Sequence, residues 1–192
     1  MTKLVTAARL SRRSPCAART ASAILIALAA LLATPLCSHA DLIAVGADFP
    51  AWRLPDHTGK EVSSTDLAGK SYLLWFYPKA MTPGCTAEGV GIRDRYDDFR
   101  VAGVEVLGVS FDSPKDNAKF VEEEQFPFRL LSDDGTLGSA VGAADSPDAK
   151  MARRISYLIG PDGKVREAYA NVVPGDHAEQ VLSDAARSTP KP

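Results

Sequence analysis

The stretch SYLLWFYPKAMTPGCTAE, residues 71–88, decides the fold. Its first half is a strand-length apolar run that includes aromatic residues, which indicates a buried strand. Its second half begins a helix, because Pro83 presets the backbone of a first helical turn. Cys85 therefore falls in the first turn of a helix that directly follows a buried strand. Unpaired N–H groups and the positive end of the helix dipole stabilise a thiolate at this position, and the thiolate is the reactive form of cysteine.

Strand and helix patterns alternate through the rest of the chain. Apolar runs predict two more buried strands, and helical periodicity predicts two helices between the strands, with Ser113 as the N-cap of the second. A hairpin, a closing helix and an N-terminal hairpin complete the pattern. The predicted elements are strands 71–77, 104–111 and 154–160, helices 83–102, 114–125 and 176–187, and hairpin turns 57–59 and 161–163. This order predicts an α/β fold, a thioredoxin-like three-layer sandwich with a central mixed sheet and an N-terminal hairpin extension.

The first 40 residues have the pattern of a secretory signal peptide. They contain five basic residues and no acid, followed by an apolar run from Ala21 to Ala33 and the small-residue pattern SHA at 38–40. The run is shorter than the roughly 20 residues that span a bilayer. We therefore expect a cleavable signal peptide at 1–40, one domain at 41–192, and an exported, periplasmic protein without stable membrane insertion after cleavage. A membrane-anchored form and a plastid transit peptide are the alternatives.

Charge and cysteine content limit the function of the exported domain. Removal of residues 1–40 takes away five of the 22 Lys and Arg and none of the 24 acids, so the net charge changes from −2 to −7. An acidic domain argues against nucleic acid as a partner. Cleavage also removes Cys16 and Cys37, which leaves Cys85 as the only thiol. An unpaired cysteine in an oxidising compartment is unusual, and it is either buried and inert or kept for its reactivity.

The segment around Cys85 resembles the active-site signature of a known enzyme family. Pro78, Thr82 and Cys85 have the Pro-x-x-x-Thr-x-x-Cys spacing of peroxiredoxins, and FYPKAMTPGCTAE is similar to their bacterioferritin-comigratory, or Q-type, subgroup. Further blocks, VGADFPAWRLPDHTGK, VEVLGVSFDSP and RISYLIGPDGKV, extend the resemblance over most of residues 41–187. The resemblance implies the AhpC/TSA-like branch of the thioredoxin superfamily and a thiol-dependent peroxidase acting on hydrogen peroxide or organic hydroperoxides.

The resemblance also implies a role for five residues. Cys85 corresponds to the peroxidatic cysteine, Thr82 to the hydroxyl that orients the peroxide, and Pro78 to the residue that shields the thiolate. Arg154 corresponds to the active-site arginine, and Glu88 to the glutamate that helps to hold it. A guanidinium fits this chemistry, because it stabilises the negative charge that develops on the departing oxygen. Arg153, its neighbour, is expected to be a solvated charge at the end of a strand.

One position departs from the subgroup pattern. Many members carry a resolving cysteine five residues after the peroxidatic one, and this chain has Val90 there. The resemblance then implies a one-cysteine enzyme whose oxidised Cys85 is reduced by an external thiol such as a thioredoxin-like protein, a glutaredoxin-like protein or glutathione. The short C-terminal tail STPKP is too brief to supply the extra arm or second thiol of dimeric relatives, so we expect a monomer. Survival of Cys37 as a resolving thiol is the alternative. No metal, nucleotide or flavin motif occurs, so we expect no cofactor.

Other function classes compete with a peroxidase. A disulfide oxidoreductase or copper chaperone needs a second cysteine near the first, and Cys85 has none. A non-catalytic or redox-sensing thioredoxin-like binding domain stays open as the alternative. Two further expectations concern local structure: Gly89 and Gly91 weaken the helix that carries Cys85, so that it frays, and His57 and His177 lie in exposed turns.

Overall fold

The structure is a computed structural model that describes residues 42–188. The expected signal peptide at 1–40, including Cys16 and Cys37, lies outside these residues. The described chain contains seven strands and five α-helices. In chain order they are β1 Arg53–Pro55, β2 Glu61–Ser63, β3 Ser71–Phe76, α1 Pro83–Asp94, α2 Tyr96–Val101, β4 Val104–Ser110, α3 Pro114–Glu124, β5 Arg129–Ser132, α4 Thr136–Ala140, β6 Ile155–Ile159, β7 Val165–Tyr169 and α5 His177–Ser188.

Five of the strands form the central sheet, in the order β5-β4-β3-β6-β7. β3 pairs in parallel with β4, and β4 with β5, because α1 to α3 return the chain across the sheet. β6 lies antiparallel to β3 and to β7. The sheet is therefore mixed, as predicted. β1 and β2 form the predicted N-terminal hairpin as a separate two-stranded sheet.

Side chains of β3 alternate between two hydrophobic cores, one on each face of the sheet. Leu73, Trp75 and Tyr77 pack with side chains from α1, α2, α3 and α5. Leu74 and Phe76 face the second core, to which the N-terminal hairpin and α4 contribute. Because both faces are covered, β3 is buried along almost its whole length. Helices α1, α2, α3 and α5 form one layer, the sheet forms the second, and the N-terminal hairpin with α4 forms the third. None of the helices in residues 42–188 combines the length and apolarity of a membrane span.

Three expectations about local structure were wrong, and two short elements were missed. The single helix expected at 83–102 is two helices, because Arg95 leaves the helical conformation at φ −108° and ψ 12°. β5 and α4 had not been predicted; both are short, and β5 is held by its parallel pairing with β4. His177 is completely buried as the first residue of α5. His57 is half-buried, because its turn contacts β5, where the backbone N–H of Leu130 donates to His57 Nδ1 at 3.3 Å.

Candidate active site

Cys85 lies where β3 passes into α1. After β3, Pro78 begins a short connection whose shape is fixed by a hydrogen bond from the backbone N–H of Ala80 to Asp112 Oδ2 at 2.8 Å. Met81 takes a left-handed conformation with φ 59°, and Thr82 returns to extended backbone as the N-cap of α1. Cys85 follows as the third residue of the helix, and its side chain is completely buried. The loop therefore delivers the thiol to the inner side of the first helical turn.

Arg154 reaches Cys85 from the residue just before β6. Its Nη2 donates to Cys85 Sγ at 3.3 Å, and its Nη1 donates to Glu88 Oε2 in a close ion pair. Nη1 also lies 3.5 Å from the carbonyl oxygen of Gly84. A Cβ atom at Gly84 would lie 3.0 Å from Nη2, so the absence of a side chain at that position allows the guanidinium to approach the helix. The forked shape of arginine lets one side chain hold a thiol and a carboxylate together.

Glu88 stands on the same face of α1 as Cys85, one helical turn later, and its side chain is completely buried. Burial raises the pKa of Glu88 to about 7, outweighing the lowering by the nearby indole N–H of Trp75 and by Arg154. Burial alone would lower the pKa of Arg154, but its bonds to Glu88 and Cys85 outweigh that effect and raise it. Arg154 therefore keeps its positive charge beside the sulfur.

Thr82 and Pro78 flank this cluster along the chain. Thr82 is half-buried, and its hydroxyl donates to the carbonyl oxygen of Lys79 at 2.9 Å. It occupies the N-cap position without a side-chain capping bond, so capping alone does not account for the residue. Pro78 is half-buried directly after the strand. No hydrogen bond joins either residue to Cys85 within the part of the chain that the structure describes.

The structure therefore brings Cys85, Arg154 and Glu88 into direct contact and places Thr82 and Pro78 beside them in sequence. Arg153 makes its ion pair with Asp145 instead. Residues 42–188 contain no cluster of side chains suited to a metal ion. A buried thiol, a fixed cation at the sulfur and a hydroxyl on the preceding loop form a site that can reduce an oxidant.

Comparison with known proteins identifies the family. Residues 45–168 match the AhpC/TSA family. The chain is 39% identical to peroxiredoxin Bcp of Escherichia coli K12 over 142 residues, which cover 70% of this chain and 90% of the relative. The chain belongs to the AhpC/TSA family and is a peroxiredoxin. The predicted peroxidase is thereby supported over the non-catalytic alternative.

Solved structures confirm the thioredoxin-like fold of this peroxiredoxin. Peroxidoxin BcpB of Mycobacterium tuberculosis superposes with a TM-score of 0.71 at 30% identity, covering 77% of this chain and 99% of that one. The bacterioferritin comigratory protein of Xanthomonas campestris gives 0.68 at 31% identity, covering 77% and 98%. The relatives carry the names of the subgroup that the sequence resembles. The protein is therefore a thiol peroxidase of the Bcp and Q type.

Sequence reasoning missed two polar residues of this peroxiredoxin that lie behind Glu88. His177 Nε2 is hydrogen-bonded to Ser156 Oγ at 2.9 Å and lies 3.9 Å from Glu88 Oε1. Both residues are completely buried. A histidine at the start of an amphipathic helix carries no local signal of burial. Ser156 stands in an apolar strand, and a polar residue in a fully buried run was the available hint.

Proposed function

We propose that this peroxiredoxin is a one-cysteine peroxidase in which Cys85 attacks the peroxide and an external thiol completes the cycle. The observation that carries the proposal is the approach of Arg154 Nη2 to Cys85 Sγ at 3.3 Å, with Glu88 holding the other guanidinium nitrogen. A cation fixed at the sulfur stabilises both the attacking thiolate and the charge that develops during attack.

The oxidising half of the cycle is a displacement at oxygen. The thiolate of Cys85 attacks one oxygen of a hydroperoxide, an S–O bond forms and the O–O bond breaks. Sulfur is oxidised to a sulfenic acid, and the departing oxygen takes up a proton and leaves as water or an alcohol. Arg154 stands where the departing charge develops, and loss of one such donor costs about 3 kcal/mol, or about a hundredfold in rate.

Thr82 and Pro78 have roles on the substrate side. Because the Thr82 hydroxyl gives its hydrogen to Lys79, its oxygen is left as an acceptor for the O–H of a hydroperoxide. Pro78 adds no N–H donor of its own, and we propose that its ring shields the thiolate. The X. campestris relative has been studied for alkyl peroxide reduction, which supports organic hydroperoxides beside hydrogen peroxide as substrates here.

The reducing half of the cycle needs a partner. Cys85 is the only cysteine of residues 42–188, and Val90 replaces the resolving cysteine of many relatives. The sulfenic acid therefore condenses with an external thiol, which releases water and forms a mixed disulfide. A second thiol of the reductant then breaks that disulfide and restores Cys85. A thioredoxin-like protein, a glutaredoxin-like protein or glutathione can supply both thiols. We propose that the protein acts as a monomer.

The site of action follows from the N-terminal sequence. We propose that residues 1–40 direct export and are removed, so that the domain 41–192 works in the periplasm. The intact mass of the exported protein tests this directly: a mass beginning at Asp41 supports it, and a mass that includes Cys37 contradicts it. In the second case, a disulfide between Cys37 and Cys85 after peroxide treatment would also contradict the one-cysteine cycle.

A sulfenic-acid trap tests the peroxidase assignment of Cys85. The protein receives a brief pulse of hydrogen peroxide at low concentration with dimedone present, and intact mass reports the adduct. We expect one adduct per chain, mapped to the peptide that contains Cys85, and none in Cys85→Ser. Absence of the adduct in the natural chain, with peroxide unconsumed, would overturn the assignment.

A further inference from the structure

His177 is the buried polar residue of the active-site region that the proposed cycle does not use. It begins α5 and packs against α1, and its ring makes an edge contact with Tyr169 at 5.1 Å between centroids. Ser156 holds Nε2, whereas Nδ1 has no hydrogen-bond partner among the described residues. A buried imidazole with one unpaired nitrogen is costly, and an apolar side chain would fill the same space without that cost.

One oxygen of the Glu88 carboxylate also has no hydrogen-bond partner among the described residues. Oε2 binds Arg154, but Oε1 has no hydrogen-bond partner within residues 42–188. His177 Nε2 lies 3.9 Å from this oxygen. A displacement of about 1 Å would turn that approach into a hydrogen bond. The ring nitrogen therefore lies between a serine that holds it and a buried carboxylate oxygen without a hydrogen-bond partner, and the other donor near that carboxylate is the buried indole N–H of Trp75.

We propose that His177 is a positioning residue of the peroxidase site, which presents its Nε2–H to Glu88 and so keeps that carboxylate ionised and fixed on Arg154. The inference rests on the proposed role of Arg154 at Cys85. His177 touches neither the sulfur nor the substrate, and it acts through the sequence of contacts from Glu88 to Arg154 to Cys85.

Charges around the ring agree with this role. Burial, together with the positive charge of Arg154, lowers the pKa of His177 to about 4, so the ring is neutral and keeps one N–H at neutral pH. The raised pKa of Glu88, about 7, leaves its ionisation sensitive to a single donor. The polar and titratable groups facing the ring are Glu88 from α1, Arg154 and Ser156 from the β6 side and Tyr169 from β7; Asp184, on the same helix, is bound to the Tyr169 hydroxyl.

Two variants that differ by one methylene test the inference. In His177→Gln the amide nitrogen can take the place of Nε2, whereas in His177→Asn it is too short to reach Glu88. The second-order rate constant for oxidation of Cys85 by hydrogen peroxide is measured by stopped-flow tryptophan fluorescence from about pH 5 to about pH 9. Alkylation of Cys85 by iodoacetamide is followed over the same range as a separate measure of thiol reactivity.

We expect Cys85 in His177→Asn to be oxidised about tenfold more slowly at neutral pH. The midpoint of its rate–pH profile should rise by about one unit, because Glu88 is then protonated more readily. His177→Gln stays within about threefold of the natural chain, whereas the alkylation profile of His177→Asn shifts in the same direction as its oxidation profile, because a loosened Arg154 stabilises the Cys85 thiolate less. His57→Asn changes the other histidine of the described chain and stays within about twofold.

Three results would overturn the inference while leaving the sulfenic-acid assignment of Cys85 standing. They are an unchanged rate and pH profile in His177→Asn, an equal loss in His177→Gln, or an alkylation profile that stays unchanged in His177→Asn while the oxidation profile shifts. If His177→Asn does not fold, the imidazole 15N shifts of the natural protein decide instead. A protonated Nε2 and a bare Nδ1 at neutral pH support the proposal, and a protonated Nδ1 contradicts it.

Discussion

Gly89 and Gly91 lie two residues apart in α1, and the structure predicts opposite effects when each becomes alanine. A Cβ atom at Gly89 would lie 2.5 Å from Phe126 Cζ and 3.0 Å from Trp75 Cη2. Phe126 cannot move freely, since it stacks on Phe128 at 5.0 Å between ring centroids. A Cβ atom at Gly91 would meet only the carbonyl oxygen of Pro174 at 3.8 Å, an ordinary contact.

The magnitudes follow from helix propensity and from packing. Alanine in place of glycine inside a helix contributes about 1 kcal/mol of stability. Gly91→Ala gains this amount because nothing opposes it. Gly89→Ala gains the same amount and loses about 1 to 3 kcal/mol to overpacking, so its net change lies between about zero and a loss of 2 kcal/mol. The two variants should therefore differ by about 1 to 3 kcal/mol in the free energy of unfolding.

Gly91→Ala should also slow one half of the catalytic cycle. Cys85 is completely buried, so a thiol reductant reaches it only after the first turns of α1 open. A helix stabilised by about 1 kcal/mol opens about fivefold less often, so reduction of the sulfenic acid slows by up to that factor. Oxidation by hydrogen peroxide, which uses the closed site, keeps its rate. Urea unfolding followed by tryptophan fluorescence and single-turnover kinetics measure the two effects.

Two outcomes would refute this reasoning. If Gly89→Ala is as stable as Gly91→Ala, the aromatic contacts at Gly89 do not constrain the helix. If amide exchange shows the backbone from Cys85 to Gly91 as protected as the strands β3 and β4, the helix does not open locally and the predicted effect on reduction is wrong. Gly103→Ala is unsuitable as a control, because Gly103 has φ 70° and alanine there is strained by the backbone itself.

Three further changes test the charges and the hydroxyl of the site. Arg154→Lys should oxidise about a hundredfold more slowly by stopped flow despite its retained charge, because a single ammonium cannot hold Cys85 and Glu88 together; an unchanged rate would contradict the assignment. Thr82→Val should lose about tenfold in the same assay and Thr82→Ser much less, since only serine keeps the hydroxyl; equal losses would point to packing. Glu88 has a folded pKa raised to about 7, so the folded state binds the extra proton and its stability falls as pH rises from about 4.5 to about 7. His177 has a folded pKa lowered to about 4, so its contribution to the free energy of unfolding rises with pH from about 4 to about 6.5. In Glu88→Gln only the His177 contribution remains, so urea titrations should show this variant gaining stability relative to the natural chain as pH rises through that window. The absence of any difference would refute the two pKa shifts.

Local sequence predicted the elements whose signals are local. β3, β4 and β6 are continuous apolar runs, and the structure places each of them within one residue of its expected ends. α3 begins where Ser113 and Pro114 predict it, and the Ser113 hydroxyl accepts a hydrogen bond from the backbone N–H of Asp116 at 3.2 Å. β5 escaped because a strand of four residues gives too short a pattern.

Local sequence likewise predicted only some of the active-site residues. Pro78, Thr82 and Cys85 lie within eight residues, so one motif contains them. Arg154 required the resemblance to a family, because as a lone residue at the start of a strand it looks like a solvated charge. His177 required the coordinates: it is 89 positions from Glu88, and its burial is a property of the packing between α1 and α5.

Helix α1 shows why local propensity alone misjudges this site. Its glycines weaken the helix by about 1 kcal/mol each, yet Gly84 gives the Arg154 guanidinium room and Gly89 gives Phe126 and Trp75 room. Contacts made by other elements therefore hold a helix that would be weak by itself. Glu88 on that helix is one of those contacts, through its ion pair with Arg154. An opening of α1 that extends from Cys85 to Glu88 breaks this ion pair, so in such an opening the geometry that oxidises Cys85 is lost while the sulfur is exposed to its reductant.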